Sequence, residues 1–452
     1  MRRVLTAEVA LLVAILAGQA FLFQKPIHNA ATYDEDVYLA ALDALRHGQA
    51  LGSQVFAAQF PGFYDLLRGL SYATGIGVVA VREGLLGVTV AGTVGGWLAG
   101  RRFGGPVGGL LAASFLVIAP PLDLFGYQVI ADTPELALAA LSLGVATLGG
   151  PVAAIAAGAL FGAALSVKLT ALCVAPAVLW LVWRRLPLAL GGFAVVVAAV
   201  LVAHAGALGD LWTSGVTYHE NARSTPAVMP HPHRQIFDQI PHSTPFFILA
   251  ALSIVVGLAY LVVRRPLGVW PLWSWVVLVL VFLFVHKPLH DNHLIEFPFT
   301  LSIAAGATLG AALGRVQRLE LAVAAGLGLA VAAGWVQQLH RVDAARVPEP
   351  ASNVAAARAL ARLTPPGTLT VDDRPIISFL AGRRVVGRTV DLAFLRWQTG
   401  SITDGGVIRD MRQADAIVIS RALRSRPAIL RFVRANYRQR YTSGGVSIYV
   451  RR

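Results

Sequence analysis

The sequence predicts an all-α polytopic membrane domain of about eleven transmembrane helices, followed by a soluble α/β domain at its C-terminal end. Three observations carry this expectation. Of 452 residues, 56% are hydrophobic and only 14% charged, against about a quarter charged in an ordinary soluble domain. Long apolar runs recur up to residue 338 and then stop. From Arg346 onward 19 arginines face seven acids, so most of the net charge of +14 lies in a tail of different character. The same composition excludes a soluble globular protein and a disordered chain. The single cysteine, Cys173, sits inside an apolar run and excludes a disulfide scaffold.

A helix needs about 20 mostly apolar residues to cross a bilayer. Runs of this kind lie at 5–23, 80–100, 106–120, 133–149, 151–167, 170–183, 187–205, 245–263, 267–285, 296–314 and 319–338. Gly and Ala are dense in them, as expected where helix backbones approach closely in a membrane. The first run ends at Gln24-Lys25-Pro26 without a small-residue cleavage site, so it reads as a retained helix. Arginines mark every second connection: Arg2-Arg3, Arg101-Arg102, Arg184-Arg185, Arg264-Arg265, and Arg315 with Arg318. The positive-inside rule puts these connections and the N-terminus in the cytoplasm. An odd number of crossings then puts the tail outside the inner (plasma) membrane. The expected division is a membrane domain over 1–340, whose first outer segment (24–77) carries surface helices, a linker over 341–350, and an extracytoplasmic α/β domain over 351–452.

With that orientation the acids, lysines and histidines gather on the outer side. The first outer segment holds Asp34, Glu35 and Asp36, then Tyr38 and a helical pattern at Leu39, Leu42 and Leu45. Thr32 or Asp34 can cap that helix, and acids in its first turn suit the dipole. A second helix opens at Pro61, with Tyr64, Leu67 and Leu70 spaced to lie along the membrane surface. The next outer loop ends in Asp132-Thr133-Pro134-Glu135. Asp132 reads as an N-cap and Glu135 as its capping-box partner. Lys168 lies between two apolar runs, where an ammonium group either snorkels to the interface or binds an anion.

The last outer loop contains His286, Lys287, His290, Asp291, Asn292 and His293. An earlier one holds His219, His231, His233 and His242. Histidine is a common metal ligand, but these spacings fit no tight ligand motif. Pro232, Pro241 and Pro288 also break any helical register, so hydrogen bonding to a polar ligand is the favoured use.

The order and sidedness of these features resemble the GT-C multi-spanning glycosyltransferases, especially the aminoarabinose-transferase and protein O-mannosyltransferase-like group. The resemblance is carried by Asp34-Glu35 with Tyr38, by Pro61-Gly62-Phe63-Tyr64, and by Gly100-Arg101-Arg102-Phe103-Gly104. It continues through Asp132-Thr133-Pro134 and the stretch from Lys168 to Pro176. The family's late His/Arg-Tyr segment is met only by His293 and Pro298, with Leu294 in place of the Tyr. The resemblance implies inverting transfer of a sugar from a polyprenyl-phosphate donor to a lipid, glycan or protein acceptor at the outer face. It makes Asp34 the base, with Glu35 and Asp36 as neighbours that orient it or bind acceptor. Asp132 positions the acceptor or, in some relatives, a divalent cation. Lys168 and Lys287, helped by His290 and His293, would meet the leaving phosphate, and Tyr38 and Tyr64 belong to the same substrate-binding group. Membrane lipids are implied partners.

The tail reads as a helix over 353–363, strands at 368–371, 416–419 and 446–450, and helices around 403–413 and 426–436. Asp372-Asp373-Arg374 follows a strand, but no Gly-rich phosphate loop accompanies it, so it reads as a loop. The arginines of 421–440 suit anionic headgroups or an acidic glycan. They lack the interleaved aromatics of a nucleic-acid face, so no nucleic-acid partner is expected. The competing function is a multi-spanning transporter of a small polar or lipid-linked substrate. That reading expects two related halves and polar residues at mid-span, and the sequence has neither.

Overall fold

The computed structural model describes all residues except 1, 226–242, 264–267, 288 and 316–319, and the side chains of all described residues except 2–5, 123 and 320–325. His231, His233, His242, Arg264, Arg265, Arg318 and the three loop prolines therefore lie outside the described residues. The chain forms two compact units. One comprises 1–27, 82–200 and 229–346; the other comprises 28–81, 201–228 and 347–452.

The first unit is helical because its sequence is apolar over whole helix lengths. The predicted runs fall on helical stretches among the described residues, the one at 170–183 opening with the 3-10 segment Leu169–Val174. Six helical stretches among the described residues are long and apolar enough to cross a bilayer. Two of them, Val78–Ile118 and Leu169–Ala203, each hold two of the predicted runs. The Asp132–Ala146 and Trp270–Val285 helices are apolar but shorter. Val78–Ile118 reverses at Gly105, whose φ of 68° suits glycine, with Pro106 opening the second arm. The predicted break between 100 and 106 falls at this place. Glu296–Leu313 is apolar on every side and buried on almost every side, so it lies inside the bundle. Leu186–Ala203 is equally apolar but largely exposed, as a lipid-facing helix is.

Small residues set how closely these helices pack. A Cβ at Gly95 would lie 2.5 Å from the backbone of Ala140, and one at Gly92 would lie 2.6 Å from Ala137. These positions join the first arm of Val78–Ile118 to Asp132–Ala146. Gly306 and Gly310 meet the backbone of Ala112 and Gly108 in the same way. Gly158 admits no side chain at all, because a Cβ there would overlap the Ala189 carbonyl. Such contacts drive helix association where no hydrophobic effect operates between helices.

The second unit contains a five-stranded sheet of order β2-β1-β3-β5-β4. The strands are β1 (Leu369–Asp372), β2 (Arg384–Val385), β3 (Ala416–Ile419), β4 (Tyr437–Ser443) and β5 (Val446–Arg451). β1 pairs in parallel with β2 and β3, and β5 runs antiparallel to β3 and β4. Gly444 and Gly445, with φ of 55° and 80°, form the β4–β5 hairpin turn. The acids at the end of β1 organise the loops that follow. Asp372 accepts from the Arg374 and Ser378 amides and the Ser378 hydroxyl. Asp373 accepts from Ser420, Arg421 and Leu423 amides and the Ser420 hydroxyl.

Two helices of the 24–77 segment belong to this unit: Tyr33–Arg46 and Pro61–Thr74. The second helix packs part of its apolar face within its own unit. Phe63, Tyr64 and Leu67 are buried, and Tyr38 meets Phe63 and Tyr64 edge-on at centroid distances of 5.0 and 6.2 Å.

The glycine contacts make a direct prediction. Gly158→Ala should lower the melting temperature of the detergent-solubilised protein by an amount equivalent to about 1–3 kcal/mol. Gly191→Ala, where an added Cβ meets nothing within 4 Å, should leave it unchanged. Equal melting temperatures for the two variants would show that this close approach is not needed.

Candidate functional site

Three helix ends of the first unit bring ionisable groups together. Asp132 and Glu135 stand in the first turn of Asp132–Ala146, and Glu296 opens Glu296–Leu313. The positive ends of these helices favour carboxylates. Lys168 follows the last residue of Gly150–Val167, at a helix C-terminus that favours a cation. Its backbone turns extended there, with φ −159° and ψ 141°, before the short turn of Leu169–Val174.

The Lys168 ammonium donates to Asp132 Oδ1 and, at 3.0 Å, to Glu296 Oε1. His293 Nδ1 lies 2.8 Å from the same Asp132 oxygen, and Asn292 Nδ2 donates to Asp132 Oδ2 at 3.0 Å. Asp132, Glu135, Lys168, His293 and Glu296 are all buried. His293 Nδ1 is also 3.2 Å from the ammonium, which has only protons to offer, whereas the carboxylate can only accept. The shorter contact assigns the ring proton to Nδ1, donating to Asp132, and leaves Nε2 as an acceptor. Glu135 lies on the same helix face as Asp132, three residues on. Its Oε2 and that of Glu296 have no hydrogen-bond partner among the described residues.

This geometry revises two sequence expectations. Asp132 does not cap its helix; the N-cap is Ala131 and no side chain caps it. Asp132 instead faces the ammonium, and Glu135 is not its capping-box partner. Lys168 does not snorkel, because it is 8% exposed and held by carboxylates. In the loop after Trp270–Val285, the His286 and His290 rings pack edge-on to His293, at 4.9 and 5.8 Å. Lys287 and His290 are exposed in that loop.

Asp132, His293 and Glu296 offer ligand atoms within 4.8 Å of one another, close enough to hold a cation. The cation there is the Lys168 ammonium. A divalent ion placed among these atoms would face that positive charge, so this cluster does not fit a metal with Lys168 in place.

The Thr32–Tyr38 segment belongs to the second unit. Thr32 and Glu35 form a reciprocal capping box: Glu35 Oε2 accepts the Thr32 amide at 3.1 Å and Thr32 Oγ1 accepts the Glu35 amide at 3.4 Å. Asp36 is fully buried and accepts from Arg374 Nε at 3.0 Å. Burial pushes its carboxyl well above the usual range, and Arg374 pulls it partly back. Tyr33 donates to Asp391, and Gln59 donates to the Tyr38 hydroxyl. Asp34 alone of the three acids is exposed.

No protein-family model and no curated protein matches the chain. Solved structures do. ArnT from Cupriavidus metallidurans bound to undecaprenyl phosphate superposes with a TM-score of 0.70 at 14% identity, over 98% of each chain. Its apo form gives 0.70 at 15%, over 99% of this chain and 98% of that one. The archaeal oligosaccharyltransferase AglB from Archaeoglobus fulgidus, in complex with an inhibitory peptide and a dolichol-phosphate, gives 0.56 at 12%. That match covers 98% of this chain and 74% of AglB. This chain has the GT-C fold.

Within this GT-C chain, sequence reasoning found Asp132, Lys168 and His293 but passed over Glu296, Glu135 and Asn292 as site groups. A signal was present. Asp132/Glu135 and His293/Glu296 are both i, i+3 pairs at the mouths of apolar helices, a spacing that puts each pair on one face. Removing the ammonium tests the cluster. Lys168→Met should destabilise the protein by about 3–5 kcal/mol, because it leaves buried carboxylates without their counter-charge. A melting temperature equal to that of the unaltered protein would contradict this.

Proposed function

We propose that this chain is a membrane glycosyltransferase. It moves a sugar from a polyprenyl-phosphate donor to a lipid, glycan or protein acceptor at the outer face of the cell membrane, with inversion at the anomeric carbon. The observation that carries the reading is the buried ammonium–carboxylate cluster at the helix mouths of a GT-C fold. Ionisable groups in apolar helices are expensive and mark function. Their place at helix ends favours a site open to one face over a mid-bilayer transport path.

In the proposed step the acceptor oxygen attacks the anomeric carbon as the bond to the donor phosphate breaks. The acceptor proton passes to the Asp34 carboxylate, and polyprenyl phosphate leaves with the bonding electron pair. Asp34 suits a base because it is exposed, while Glu35 and Asp36 are buried. Glu35, Asp36, Tyr38 and Tyr64 act as positioning residues that fix the helix presenting Asp34. Lys287 and His290, exposed in the last outer loop, supply cations and hydrogen bonds to the leaving phosphate. Lys168 acts through Asp132, whose carboxylate it holds in place, and His293 Nε2 is an acceptor for a substrate hydroxyl. The N-terminus is cytoplasmic in this reading.

Mass analysis of lipid-linked sugars that accumulate in cells lacking the protein identifies the donor. With that donor in vesicles, Asp34→Asn should slow sugar transfer by about 10²–10⁴-fold and leave the melting temperature unchanged. A retained transfer rate would remove Asp34 as the base.

A further inference from the structure

The second unit holds a polar cavity that the proposed reaction does not use. It has a volume of about 310 Å³ and is lined by Arg388, Arg396 and Arg409, with Asp210 and Asp410 as the acids. Arg396 is 4% exposed and lies 3.6 Å from the centroid of the Phe56 ring. Its Nη1 donates to the Arg388 and Asp391 carbonyls and its Nε reaches Ser401 Oγ at 3.5 Å. Nη2 makes no hydrogen bond among the described residues. Arg388 is held by the Ser53 carbonyl through Nε and Nη2, at 3.2 and 2.9 Å. Arg409 is exposed on the Asp404–Met411 helix, whose first turn also faces the cavity through Gly406 and the capping Thr403.

Three guanidinium groups therefore face two carboxylates around one space, a surplus of positive charge that includes a buried cation. Burial of Arg396 disfavours its charged form, and Asp391 offsets this only in part. A neighbouring cavity of about 370 Å³ shares Arg388, Arg409 and Asp410 and adds Gln49, Gln54 and Gln413. Guanidinium forks match carboxylate and phosphate oxygens, while amides, hydroxyls and a flat aromatic face suit a polyol ring. Both volumes fall at the lower end of the range for small-ligand sites.

We propose that these cavities form a binding site for an anionic saccharide. Its carboxylate or phosphate rests on Arg388, Arg396 and Arg409, and its hydroxyls on Ser401, Thr403 and the glutamines. The site is separate from the transfer chemistry, and binding is read without turnover.

The test is calorimetric titration of the full-length protein in detergent with glucuronate, glucose 6-phosphate, glucose and inorganic phosphate. At least one of the two acidic sugars should bind with a Kd below about 1 mM; whichever binds more tightly identifies the anionic group. Glucose and inorganic phosphate should bind at least tenfold more weakly. Arg409→Gln should weaken the acidic sugar at least tenfold and Gln413→Ala several-fold. Arg358→Gln, an exposed arginine of the same unit outside both cavities, should have no effect. Failure of both acidic sugars to bind would overturn the proposal. So would inorganic phosphate binding as tightly as the sugar phosphate, or undiminished binding in both cavity variants.

Discussion

The pairing of the Lys168 ammonium with Asp132 and Glu296 is the constraint on which the membrane unit depends. Neither kind of charge is affordable alone in an apolar bundle. Together they are tolerated because each stands at the helix end whose dipole suits it, and because Asn292 and His293 satisfy Asp132 further. The mouths of Asp132–Ala146, Gly150–Val167 and Glu296–Leu313 are thereby joined by a directional contact. The ammonium is taken up by two carboxylates, so Lys168 is poorly placed to greet a phosphate and well placed to hold a carboxylate still.

Backbone proximity makes that arrangement attainable. Gly92 and Gly95 bring the first arm of Val78–Ile118 against Asp132–Ala146, while Gly306 and Gly310 press Glu296–Leu313 against the second arm. Side chains of any size at these positions would spread the helices that carry Asp132 and Glu296. The glycine pattern and the ion cluster are thus two parts of one packing solution, one non-directional and one directional.

Much of the fold was legible because hydropathy is a local property. Apolar runs fell on helical stretches, and the reversal at Gly105-Pro106 followed from residues with fixed backbone preferences. The legibility ended where meaning depends on a partner. An amphipathic face at Tyr64 and Leu67 looks the same whether it meets lipid or Tyr38. A carboxylate opening a helix looks like a dipole acid, and nothing local ties Glu296 to Lys168, 128 residues earlier. Strand β4 hid in an arginine-rich stretch because it is an exposed edge, where charged residues are the rule. Asp372 closes strand β1 and Asp373 follows it, and the hydrogen bonds of both go to amides nearby and across the sheet.

The most direct measurement of the central claim is the melting temperature of the triple variant Asp132→Asn/Lys168→Met/Glu296→Gln beside that of Lys168→Met alone. If the cluster is held by mutual charge compensation, removing all three charges should recover most of the stability lost with the ammonium, because a neutral replacement of a buried ion pair is often tolerated. A triple variant as unstable as the single one, or less stable, would contradict the account.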